Sequence, residues 1–76
     1  MTPLSLSPLN AQVCRVLTVQ GEHVGNLKLI GASWKFKAVG YDAQGDILPG
    51  GGPLTDRHNM TFSTLDVCEI NARLTV

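Results

Sequence analysis

Trp34-Lys35-Phe36-Lys37-Ala38-Val39-Gly40-Tyr41 carries the clearest two-residue alternation in the chain. Trp34, Phe36, Ala38 and Gly40 share one parity, while Lys35, Lys37, Val39 and Tyr41 share the other. Successive side chains of a strand point to opposite faces, so this alternation of large apolar and charged residues predicts a strand buried on one side. Trp34 and Phe36 are expected in the core, Lys35 and Lys37 in water.

Working toward the C-terminus, Asp42-Ala43-Gln44-Gly45-Asp46 predicts a hairpin loop in which Gly45 takes positive φ, and Ile47-Leu48 starts a strand that Pro49 ends. Met60-Thr61-Phe62 is a short strand candidate. Residues 64–76 fit two periods. With period two, Cys68, Ile70, Ala72, Leu74 and Val76 alternate against Glu69, Asn71, Arg73 and Thr75. As a helix, Ser63 would cap, Phe62 and Val67 would staple, and Glu69 would pair with Arg73 four residues on. The strand is preferred, because the alternation spans nine residues and Val, Cys, Ile and Asn are indifferent helix formers.

Toward the N-terminus, Gly31-Ala32-Ser33 breaks the chain and Leu27-Lys28-Leu29 alternates. Residues 21–26 supply turn residues, and the β-branched, apolar run from Val13 to Val19 predicts a first strand. Residues 1–10, with two prolines and three serine or threonine residues, read as an extended N-terminal arm rather than an element. The expected fold is mainly β: a small antiparallel β-meander or half-open barrel of about five strands over residues 11–76. If residues 64–74 are helical it becomes α+β.

Seventy-six residues allow one domain with a thin core, and 43% hydrophobic against 16% charged residues describes a chain that folds. Net charge is zero, but residues 1–41 carry four bases (Arg15, Lys28, Lys35, Lys37) against one acid (Glu22), and residues 42–76 carry two bases against five acids. This split favours head-to-tail self-association or a partner that touches one half. Two cysteines are sparse for a secreted scaffold, so Cys14 and Cys68 read as reduced, buried thiols. No segment reads as a signal peptide or membrane span, and the expected location is cytoplasmic.

Pro49-Gly50-Gly51-Gly52-Pro53 leads into the densest polar run of the chain, Thr55-Asp56-Arg57-His58-Asn59. Consecutive glycine amides can face an anion, yet a phosphate loop also needs a helix start and usually a lysine, and neither follows. The glycines read instead as a hinge that sets the polar run in a fixed place. Asp56-Arg57-His58 brings acid, base and cation together, but adjacent residues point in different directions and no catalytic signature accompanies them. Enzyme activity is not expected, nor is a metal or other cofactor, since Cys14, His23, His58 and Cys68 lack ligand-like spacing. Trp34-Lys35-Phe36-Lys37 has the composition of single-strand nucleic-acid binders, although alternation sends rings and lysines to opposite faces.

The sequence therefore predicts a non-enzymatic protein-interaction module that self-associates. One alternative is a nucleic-acid-binding β domain that uses Lys28, Lys35, Lys37 and Arg57. The other is a small-molecule or anion site in the 50–59 loop. The candidate binding residues are Asp56, Arg57, His58 and Asn59 with Gly51 in the loop, and Tyr41, Lys35 and Lys37 on the strand.

Overall fold

The computed structural model describes residues 4–75. Strands β1 (Ser5–Asn10), β2 (Val13–Leu17), β3 (His23–Ile30), β4 (Ser33–Tyr41) and β5 (Ile47–Pro49) follow one another as an antiparallel meander, each paired with the next. A sixth strand, β6 (Thr61–Phe62), also pairs with β4, and helix α1 (Val67–Leu74) ends the described chain. The fold is mainly β, as its alternation predicts, and the sheet does not close into a barrel.

Strand β4 organises everything else. Phe36 and Ala38 are buried on one face, with Leu27 and Gly25 opposite them on β3, and Cys14 and Val16 continue that face on β2. Trp34 packs against this core from its margin and is only half-buried. Phe62, Ile70 and Leu74 cover the same apolar face, so α1 closes it from one side.

Residues 64–76 correct the strand expectation, because Val67–Leu74 is a helix. Ile70 and Leu74 are four apart, and both a two-residue and a 3.6-residue period put such a pair on one side. Cys68 and Ala72 discriminate: alternation would bury them beside Ile70, whereas both are exposed. The helix starts on Asp66 rather than Ser63, with the carboxylate accepting from the amides of Cys68 (2.9 Å) and Glu69 (3.4 Å). Glu69 and Arg73 then meet at 3.6 Å, one turn apart. Val76 lies outside the described residues.

Two further expectations change. Of residues 1–10, read as an extended arm rather than an element, Ser5–Asn10 is extended but paired with β2, with a register shift between Pro8 and Asn10, where a proline cannot donate, and residues 1–3 lie outside the described residues. Asn71 of α1 ties this end down: its amide oxygen accepts from the Leu4 N–H at 2.5 Å and its amide nitrogen donates to the Leu4 carbonyl at 3.1 Å. Of the two thiols, Cys14 is buried in the sheet, but Cys68 is exposed on the outer side of the first helical turn.

Candidate functional site

The face of the sheet opposite the core is defined by register. Arg15 lies opposite Asn26, which lies opposite Lys37, giving one row across β2, β3 and β4. Val13, Lys28, Lys35 and Thr61 form the adjacent row across β2, β3, β4 and β6. Neighbouring strands are about 4.8 Å apart and same-face residues along a strand about 6.7 Å apart, so Arg15, Lys28, Lys35 and Lys37 share a compact area. These are all four bases of the first half of the chain. No carboxylate pairs with any of them among the described residues.

The acids sit elsewhere. Glu22 is in the β2–β3 turn, Asp42 and Asp46 are at the β4–β5 hairpin, Asp56 is in the short 3-10 turn Thr55–Arg57, and Asp66 and Glu69 are at the start of α1. The charge split between sequence halves is therefore a split between one sheet face and the turns and helix around it.

The glycine run borders this face as a tight backbone crossing. Gly50 and Gly52 take φ of 79° and 84°, and a Cβ on Gly52 would stand 2.3 Å from the Val39 carbonyl oxygen. Gly40, beneath it, has equally little room, since its Cβ would meet the Gly52 nitrogen at 2.5 Å. Gly51 reaches back to the Leu48 carbonyl at 3.0 Å. The run is thus a close crossing of two backbone segments, which only glycines permit at this distance.

Beyond the crossing, the polar run completes the outer edge of β4. β5 pairs with residues 39–41 and β6 with residues 34–35, which leaves Phe36 and Ala38 between them. The Asn59 N–H donates to the Phe36 carbonyl and the Phe36 N–H to the Met60 carbonyl, both at 2.7 Å. The Gly50 N–H donates to the Ala38 carbonyl at 2.8 Å, and the Ala38 N–H donates to Nδ1 of His58 at 3.0 Å. An imidazole here stands where a neighbouring strand would offer a carbonyl. Asn59, at φ of 73°, accepts from Nζ of Lys37 at 2.7 Å. Arg57 donates through Nε to the Arg73 carbonyl at 3.1 Å, and Arg73 lies over the Phe62 ring, 4.6 Å from its centroid. Asp56 is exposed.

Tyr41 is held at the far end of the basic face. Its hydroxyl meets Nδ1 of His23 at 2.8 Å, and Nε2 of His23 meets Oδ1 of Asn26 at 2.9 Å. Because Oδ1 can only accept, Nε2 donates and, in the neutral imidazole, Nδ1 accepts from the tyrosine. Val39, on the same parity, is 6% exposed yet lies outside the main core cluster, under the glycine crossing. Two cavities flank it. One of about 390 Å³ opens among Asn26, Lys28, Lys37, Ile47, Pro49 and His58, and one of about 340 Å³ among Glu22, His23, Tyr41 and Pro53.

No known protein family matches the chain, and neither a curated protein nor a solved structure does.

Lys35, Lys37 and Tyr41 share one sheet face, and His58 and Asn59 reach its border through Ala38 and Lys37. Arg57 turns toward the helix, and Asp56 joins neither. Two members of the face, Arg15 and Asn26, were not among the sequence candidates. Arg15 had a signal, since Cys14 and Val16 on either side of it are apolar, but Asn26 read as part of a turn. Among the described residues, no three His, Cys, Asp or Glu side chains gather as a metal site, and no helix is long and apolar enough to cross a membrane. Burial raises the Cys14 thiol pKa above its ordinary value, partly offset by a backbone hydrogen bond from Ser7.

Proposed function

We propose that this domain is a non-enzymatic binding module whose basic sheet face holds the phosphate backbone of a single-stranded nucleic acid, in the cytoplasm. The observation that carries the reading is the collection of Arg15, Lys28, Lys35 and Lys37 on one face without a carboxylate among them. Lys28 and Lys35 stand directly opposite each other across β3 and β4. Like charges in that position cost a few tenths to about 1 kcal/mol, a cost that an anionic partner removes. The spacing also suits a flexible polyanion, whose phosphates can adjust to cations about 5–7 Å apart. His58, the group of the polar run best suited to acid–base work, has Nδ1 taken by the Ala38 N–H, which supports a binding role over a catalytic one.

Binding that rests on about four phosphate contacts should follow log K against log salt with a slope of about −2 to −3, or roughly 15- to 60-fold weaker between 50 and 200 mM. Fluorescence anisotropy with a labelled oligonucleotide measures it. Absence of binding at 25 mM salt overturns the reading, as does an affinity that Lys28→Glu and Lys35→Glu leave unchanged.

A second reading has its own observation. Tyr41, Ile47 and Leu48 at the β4–β5 hairpin are 47%, 56% and 46% exposed and form an apolar edge suited to a second copy of the chain. Sedimentation equilibrium across a concentration series tests this self-association, and a monomer at every concentration rejects it.

A further inference from the structure

The cavity of about 390 Å³ beside the glycine crossing is lined by hydrogen-bond donors, and two bonds inside the fold make it so. His58 accepts the Ala38 N–H at Nδ1, so the proton of the neutral imidazole is on Nε2, and Nε2 can only donate. Asn26 has its Oδ1 committed to His23, which leaves the Nδ2 amide to donate. Lys28 and Lys37 add ammonium groups, and Lys37 retains two protons beyond the one given to Asn59. No carboxylate lines the cavity. Its remaining wall is apolar, made by Val39, Ile47 and Pro49.

A donor-lined end beside an apolar wall selects a ligand with clustered acceptors at one end and a flat apolar body at the other. Its volume falls at the small end of the range for small-molecule sites. Resting on the proposed nucleic-acid reading, we infer that this cavity holds one nucleotide of the bound strand. Its phosphate faces Lys28, Lys37, Asn26 and His58, and its base lies against Val39, Ile47 and Pro49. The rest of the basic face then carries the flanking phosphates, and the cavity distinguishes a strand that bears bases from a bare polyanion.

The experiment compares an oligonucleotide with an abasic oligonucleotide of the same length and charge, by competition anisotropy at one low salt concentration. The base-bearing strand is expected to bind about fivefold more tightly. Ile47→Ser, at an exposed position whose loss leaves the core intact, should bring that ratio close to one. Leu9→Ser, equally exposed but on β1, should leave the ratio at about five. Equal affinity for the two strands, or a ratio that Ile47→Ser does not change, overturns the nucleotide site while leaving backbone binding in place. Failure of both strands to bind overturns the site and the proposed function together.

Discussion

His58→Ala isolates the least expected contact in the fold. The substitution removes Nδ1, the acceptor of the Ala38 N–H at 3.0 Å, from the edge of β4 where neither β5 nor β6 reaches. Ala38 is 1% exposed with His58 in place, so its amide loses a partner that neither β5 nor β6 replaces. An unsatisfied buried donor costs about 1–3 kcal/mol. A domain of this length has roughly 4–11 kcal/mol of total stability, so the loss is a large fraction of it. At about 4–8 °C per kcal/mol, a loss of 2 kcal/mol lowers Tm by roughly 8–16 °C. His58→Asn is the control, because its Oδ1 lies one bond beyond Cγ, as Nδ1 does, and can accept the same N–H; it should cost less than about 1 kcal/mol. Urea denaturation followed by tryptophan fluorescence gives both values, with Trp34 on the affected strand. An alanine variant as stable as the parent refutes the reasoning, and so does an asparagine variant as weak as alanine.

Other perturbations separate the remaining parts of the account. Gly52→Ala places a Cβ 2.3 Å from the Val39 carbonyl oxygen at φ of 84° and should cost about 2–4 kcal/mol. Gly51→Ala, with no positive φ and its nearest contact at 3.3 Å, should cost less than about 1 kcal/mol by the same denaturation measurement. Asp66→Ala removes the cap of α1 and should cost about 0.5–2 kcal/mol, read as lost helical circular dichroism and a lower midpoint. Lys35→Glu should weaken oligonucleotide binding while raising stability by a few tenths to about 1 kcal/mol, since it turns the Lys28–Lys35 repulsion into attraction; a variant that loses both contradicts the functional reading of that pair. A thiol reagent should label Cys68 at once and Cys14 only on unfolding. Because burial raises the Cys14 pKa, the unfolded chain releases that proton first as pH rises, so its contribution is full below the ordinary thiol value of about 8.5 and erodes above it. Cys14→Ser should flatten that alkaline loss.

Strand β4 was legible because Trp34, Lys35, Phe36 and Lys37 differ in character at every step, leaving one parity to bury. The C-terminal helix was not, because Ile70 and Leu74 satisfy both periods and the exposed residues that decide, Cys68 and Ala72, are small or apolar. β1 was hidden by Pro8 and its serines, which an edge strand tolerates and a free arm shares. The glycine run could be read from composition, but not its reason, since the closeness of Gly40 and Gly52 is a tertiary fact. The same holds for His58. Nothing local marks a histidine that substitutes for a strand, because the vacancy it fills is left by β5 and β6. Lysines 35 and 37 were readable as a pair. The full face appears only when register brings Arg15 and Lys28 beside them.

The sheet face opposite the core is the proposed binding surface. Amide and side-chain NMR shifts followed during titration with a short single-stranded oligonucleotide at low salt test it most directly. The account predicts that the largest changes fall on Arg15, Asn26, Lys28, Lys35 and Lys37 and shrink together as salt is raised. Changes confined to α1 or the β4–β5 hairpin, or none at all, contradict it.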